Sequence, residues 1–216
     1  MALPQDLLHL ERGRFRPICR LFDTGLAAAL LLSLLPLFAL TVLVIRCGGG
    51  GPAFFFQSRV GRNGTFFLVY KLRTMNRQAG PGLTAADDAR VTKIGGGVRR
   101  YRIDEWPQML NILVGQMSFV GPRPELPCFL ADYGPHLPLL LSVRPGLTDP
   151  ATLASLDEAE ILRGVDDPEA FYREHLLPKK LALSARYKLR RNFCRDLAVL
   201  LQTGVALIRP GRKDQP

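Results

Sequence analysis

The chain has 216 residues, a formal net charge of +10 and 47% hydrophobic residues, which suits one domain with a sizeable core or a modest domain with an anchor and excludes a disordered chain. Its surplus of Lys and Arg points to an anionic partner: nucleic acid, phospholipid head groups or a phosphorylated substrate. Cys19, Cys47, Cys128 and Cys194 are scattered without a CxxC pair, which argues against a zinc site or a disulfide framework and for a reducing compartment.

Residues 1–23 form a basic segment carrying Arg12, Arg14, Arg16 and Arg20. Residues 24–47 are predicted as a membrane helix: no charge occurs from 24 to 45, a run about long enough to cross a bilayer. It is too long for a signal-peptide core, and the following RCGGGGP lacks an A-x-A-like cleavage site. Pro36 sits mid-run, where it removes a backbone donor and kinks the helix. Arg46, Arg59, Arg62, Lys71 and Arg73 follow the run, so both flanks are basic and the positive-inside rule keeps both in the cytoplasm. A re-entrant helix that enters and leaves by one face satisfies both features; a proline-containing span stays open beside it.

Residues 48–210 read as one α+β, mainly helical domain, and 211–216 as a polar tail. Glycines at 48–51 suggest a hinge. AFFFQ and TFFLVYKLR read as two strands, joined by the turn GRNG at 61–64, in a hairpin that delivers Lys71 and Arg73 at its far end. Residues 76–90 are polar and read as a loop. Residues 104–114 are predicted as a helix with Asp104 as N-cap, Pro107 in the first turn and Gly115 as its stop. VGPRPE at 120–125 is a proline-stiffened loop. Short helices are expected near 156–163, 167–175 and 179–189. The apolar run at 195–208 suits either the membrane surface or the core.

Adjacent carboxylates open the 104–114 segment, in RIDEWPQM, with Arg99, Arg100 and Arg102 just upstream. Acids in a first helical turn complement the macrodipole, so a capping role is one account. The other is chemical: a carboxylate ringed by arginines can attack phosphorus, or hold Mg²⁺ together with substrate phosphates. Arg123, between two prolines, offers a guanidinium fork of the kind that binds phosphate, and Arg144 in VRPG has the same look, although either also suits a solvated turn. The glycines at 48–51 and 95–97 lack the GK[ST] of a P-loop. His9, His136 and His175 have no ligand or triad spacing, and Ser118 and Ser142 no nucleophile elbow.

Three stretches, GPAFFFQSRVGRNGTFFLVYKLRTM, DDARVTKIGGGVRRYRIDEWPQMLNILVGQMSFVGPRPE and VRPGLTDPA, together resemble the bacterial sugar transferases, the small monotopic polyprenyl-phosphate phosphoglycosyl transferases. The likeness runs over about residues 15–201. It implies an enzyme at the cytoplasmic face of the bacterial inner membrane. Such an enzyme moves a sugar-1-phosphate from a UDP-sugar to undecaprenyl phosphate, releases UMP and starts glycoconjugate assembly. It further implies ping-pong chemistry with Asp104 as nucleophile of a covalent phosphosugar intermediate, Glu105 as its dyad partner, and Mg²⁺ at Asp104 and Glu105. Lys71, Arg99 and Arg123 match the family's phosphate-binding positions. The family's re-entrant helix breaks at a Ser-Pro pair; here Ser33 and Pro36 stand for it, with Leu35 before the proline. Gln116 and Val114 replace an Asp and a Lys of the family pattern, and Trp106 a common Leu. The expected partners are the phospholipid bilayer, undecaprenyl phosphate and a UDP-sugar, without nucleic acid; a homodimer is compatible with this reading.

Two other classes compete. A basic membrane-surface protein binding RNA or anionic lipid explains the charge and the anchor but not the dyad amid arginines. An inactive assembly scaffold is at odds with an intact Asp104.

Overall fold

A computed structural model describes residues 15–49, 51–76 and 82–208. The basic residues Arg12 and Arg14, the 211–216 tail and part of the 76–90 loop therefore lie outside the described residues. The first element, α1 (Phe15–Gly49), is longer at its N-terminal end than the apolar run alone suggests, and it is continuous across Pro36. Gly48 and Gly49 are its last turn and not a hinge, a correction to the glycine reading; the Ile94 side chain lies against Gly48. Ser33 donates to the Leu30 carbonyl at 3.2 Å, a back-bond within the helix. The helix is long and apolar enough to cross a membrane.

Both ends of α1 engage the rest of the chain. Near its start, Arg20 donates to the carbonyls of Ile112 and Leu113, and Asp23 accepts from the Ser118 hydroxyl and the Phe119 amide. Ala27 is fully buried in the main core with Met109, Ile112, Met117 and Phe119. Near its end, Phe38, Val42 and Ile45 pack with Ala53, Leu72, Ile94 and Ile103. Its outer side leaves Leu32, Leu35, Leu40 and Leu43 more than half exposed.

The hairpin forms as predicted, with β1 (Phe54–Val60) antiparallel to β2 (Phe66–Leu72) around a turn in which Asn63 and Gly64 take positive φ. Next comes α2 (Lys93–Arg100), capped by the Thr92 hydroxyl on the Gly95 amide. A 3₁₀ turn (Ile103–Glu105) and α3 (Gln108–Leu113) then carry the acidic pair. Asp104 is consequently not an N-cap: the chain reverses at Arg102, whose φ is +52°, and Asp104 lies inside the 3₁₀ turn with no side-chain cap bond. Gly115 does end α3, at φ +88°.

Two short strands, β3 (Ser118–Val120) and β4 (Gly146–Thr148), pair in parallel. Between them run a 3₁₀ segment (Pro127–His136) and α4 (Leu137–Leu141). After β4 follow α5 (Pro150–Ala154), α6 (Glu158–Ile161), α7 (Pro168–Phe171), a π turn (Tyr172–Leu176) and α8 (Leu177–Leu189). From α6 to α8 these meet the expected short helices, and α5 is an addition to them. Phe129, Tyr133, Leu140, Tyr172, Leu177 and Leu181 form a second core there. The last element, α9 (Phe193–Ile208), packs Val199 into the main core and leaves Leu201, Val205 and Ile208 exposed.

Candidate active site

The acidic pair sits where the hairpin, the 3₁₀ turn and the GPRP loop meet. Glu105 is buried and collects three cations. Arg123 pairs directly with Oε1, Lys71 Nζ lies 3.3 Å from the same oxygen, and Arg102 Nη1 lies 3.5 Å from Oε2. Burial pushes the Glu105 carboxyl up, but Arg123, Lys71 and Arg102 together outweigh it and hold the group well below the usual carboxylate range. Arg123 is in turn held charged by Glu105. Burial lowers the Lys71 ammonium, with Glu105 opposing.

Asp104 is equally buried, yet among the described residues no donor touches its carboxylate. Burial and the adjacent Glu105 charge push it up to about 6, against the pull of Lys71, Arg99 and Arg123. Two neighbours in sequence thus have different tasks: one is a fixed anion in a cage of cations, the other an unbonded carboxylate in a positive field.

Long-range contacts that single motifs do not display hold this arrangement. The GPRP and VRPG loops are knitted backbone to backbone. Gly121 N donates to the Thr148 carbonyl at 3.0 Å and Gly146 N to the Pro122 carbonyl at 2.9 Å. A Cβ on Gly146 would lie 2.2 Å from Gly121 N, so only glycine allows this approach. Arg59, half-buried on β1, donates to the Pro124 carbonyl at 3.1 Å and braces the far side of the same loop. Asn111 joins α3 to β2, accepting from Tyr70 N at 3.2 Å and donating to the Leu68 carbonyl at 2.8 Å. It also donates to Gln116 at 2.7 Å, which gives the Gln116 departure a structural use.

Of the residues selected from sequence, Asp104, Glu105, Lys71, Arg99 and Arg123 converge; Arg99 acts on Asp104 by charge from the last turn of α2. Arg144 does not join them. Its Nε donates to the Gly115 carbonyl at 2.8 Å, at the opposite end of α3 from the dyad. Ser33 and Pro36 lie on α1, outside this cluster. The sequence reading missed Arg102 as a Glu105 partner and Arg59 as a brace. Strand alternation is the signal for Arg59, since it shares a hairpin face with Lys71.

The sequence that builds this site is similar to those of known proteins. The family model for bacterial sugar transferases matches residues 14–210. The chain belongs to the bacterial sugar transferase family. A UDP-glucose:undecaprenyl-phosphate glucose-1-phosphate transferase of Caulobacter vibrioides is 36% identical over 195 residues, 88% of this chain and 69% of that protein. An exopolysaccharide production protein of Rhizobium meliloti is 36% identical over 160 residues, 64% of this chain and 71% of that protein. A UDP-N-acetylgalactosamine-undecaprenyl-phosphate N-acetylgalactosaminephosphotransferase of Aeromonas hydrophila is 39% identical over 119 residues, 52% of this chain and 28% of that protein. This sugar transferase is accordingly an enzyme of the phosphoglycosyl transferase class.

Proposed function

We propose that this sugar transferase moves a sugar-1-phosphate from a UDP-sugar to undecaprenyl phosphate through a covalent intermediate on Asp104, releasing UMP, as the first membrane step of bacterial glycoconjugate assembly. The observation that carries the proposal is the contrast within the dyad: Glu105 pairs with three cations, while among the described residues no donor bonds the buried Asp104 carboxylate. A carboxylate whose pKa is raised to about 6 is still ionised at neutral pH and more basic than an ordinary Asp, which suits a nucleophile.

In the first step an Asp104 oxygen attacks the sugar-bearing phosphorus of the UDP-sugar. The bond between that phosphorus and the oxygen bridging it to the UMP phosphorus breaks, and the electron pair leaves on UMP. In the second step a phosphate oxygen of the polyprenyl acceptor attacks the same phosphorus, and the Asp104 carboxylate is released. Lys71, Arg99 and Arg123 supply the positive field for the phosphoryl oxygens. Glu105 orients Lys71, Arg102 and Arg123 and keeps them from collapsing onto Asp104.

A divalent cation fits the residues present. Mg²⁺ asks for one or two carboxylates and completes its shell with water and substrate phosphate. Among the described residues the Asp104 oxygens accept no hydrogen bond, and Glu105 Oε2 lies 3.5 Å from Arg102 Nη1. Asp104 and Glu105 are the two carboxylates that would hold it. When bound, Mg²⁺ neutralises charge on the diphosphate.

The membrane reading is part of the proposal. Contacts of Arg20 and Ile45 with the same domain support a re-entrant α1, because a spanning helix would carry one end away from the site. The active site then faces the cytoplasm at the inner membrane. The test is the full chain in nanodiscs with undecaprenyl phosphate, Mg²⁺ and a panel of UDP-sugars, with UMP as readout. UMP release dependent on both substrates is the expected result. Silence across the panel, with steeply salt-dependent binding of RNA or anionic vesicles, would favour the binding-protein reading instead.

A further inference from the structure

The β1–β2 register sorts the hairpin into two faces. On one, Phe55, Gln57 and Arg59 stand opposite Lys71, Val69 and Phe67. This is the catalytic side: Lys71 reaches Glu105, Arg59 reaches Pro124, and Val69 and Phe67 enter the main core. On the other, Phe54, Phe56 and Ser58 stand opposite Leu72, Tyr70 and Leu68, and Phe66 follows beyond Leu68. That side is bare. Phe56 is 56% exposed, Leu68 51% and Phe66 63%. A water-facing side of a two-stranded sheet normally carries polar residues, and a contiguous apolar patch marks a contact surface.

What covers this patch is indicated by its boundary. Leu72, at one end of the bare face, is buried against Ile45, Val42 and Phe38 of α1. The Phe38 ring lies 6.2 Å from Phe54, Phe54 lies 6.5 Å from Phe56, and Phe56 meets Tyr70 edge-on at 5.5 Å. The aromatic row therefore starts on the apolar helix and continues onto the sheet. The outer side of α1 next to it is equally apolar. One bilayer covers helix and sheet face together, and aromatic side chains are favoured at its boundary.

We propose that the outer face of the hairpin, centred on Phe56, Phe66 and Leu68, is a second lipid-contacting surface seated on the same phospholipid bilayer as α1. The proposal rests on the membrane reading of α1. Its consequence is geometric: Tyr70 points to lipid and its neighbour Lys71 to the dyad, so the catalytic cations lie one strand behind the bilayer surface, at the level of a lipid-borne phosphate.

The test places a nitroxide label singly at 56, 66 or 68 in the full chain, with Cys19, Cys47, Cys128 and Cys194 replaced by Ser. Each labelled protein is checked for UMP release and reconstituted in nanodiscs of phosphatidylethanolamine and phosphatidylglycerol. Collision rates with oxygen and with a water-soluble nickel chelate are measured. Leu40 on α1 and Arg163 in the turn after α6, both more than half exposed, are the lipid and water references. The hairpin labels should match Leu40, with oxygen favoured and nickel collisions several-fold below those at Arg163. Nickel access equal to that at Arg163, with Leu40 still shielded, would overturn the proposal. Shielding from both reagents with dipolar broadening would overturn it in favour of a second copy of the chain. Nickel access at Leu40 itself would instead remove the membrane reading on which it rests.

Discussion

Asp104 and Glu105 share one 3₁₀ turn, and the protein drives their carboxyls in opposite directions. Three cations outweigh burial at Glu105, while burial and the charge of Glu105 dominate at Asp104. Separating two titratable groups in this way is what the proposed mechanism needs, a fixed anion organising the field around a more basic carboxylate.

Asp104→Asn is the most direct test of that division. The amide keeps the size of the side chain but is a poor nucleophile, so turnover should vanish. Intact-mass analysis with a UDP-sugar and no acceptor should find a phosphosugar adduct on the parent and none on the variant. An adduct on Asp104→Asn would sink the assignment.

The same substitution should stabilise the fold in EDTA at neutral pH. Asp104 has a folded pKa of about 6 against 3.8 unfolded, so the native state binds its proton more tightly. Stability from this group is fully present below about 3.8 and is lost as pH rises through about 6. Above that, ionised Asp104 costs on the order of 2–3 kcal/mol, which Asn does not. Thermal unfolding in EDTA should give Asp104→Asn a higher Tm than the parent at pH 7.5, and the gain should shrink by pH 5. A pH-independent difference would contradict the burial argument.

Arg123→Lys should lower kcat/KM by a factor equivalent to about 1.5–3 kcal/mol, because the point charge of Lys does not reproduce a guanidinium fork toward a charged group. Parental kcat/KM would reduce Arg123 to a structural partner of Glu105.

Several of these features were legible in the sequence. GRNG between two apolar runs predicts the hairpin and puts Lys71 at its far end; which face Lys71 takes comes from the strand register. The start of the 104–114 segment was misread because Asp104 obeys a local capping rule, whereas the turn at Arg102 and the burial of the dyad are set by Lys71 and Arg123, distant in sequence. The helix α2 was missed because KIGGGVRR contains three glycines; one of them, Gly95, is pressed against Thr74, where a Cβ would lie 2.0 Å from the Thr74 carbonyl oxygen. Strands β3 and β4 are three residues each, and parallel pairing across α4 leaves no local signature.

Gly146→Ala tests the knitted loops. Its methyl would press on the Gly121 backbone, which cannot swing aside as a side chain can. The expected cost is about 1–3 kcal/mol in stability, with a fall in kcat as the GPRP loop shifts. Thermal unfolding and UMP release read the two effects, and a variant matching the parent in both would show that the loops are free to separate.

The final prediction concerns the course of α1. Basic residues flank the apolar run on both sides, and both ends of the helix contact the catalytic domain. The nucleotide-sugar donor proposed above would require the site to face the cytoplasm, so the segment before α1 should lie on that side too. Pro36 removes the donor that would bond the carbonyl one turn earlier, which weakens the helix at the middle of the run. Restoring that donor with Pro36→Ala should favour a straight helix, long enough to span. The readout is labelling of Leu3→Cys, in a background without the native cysteines, by a membrane-impermeant reagent on intact cells. The parent should stay protected and Pro36→Ala should become partly labelled. Labelling of the parent would show that α1 spans, and would leave the chemistry at Asp104 to stand on the intact-mass result alone.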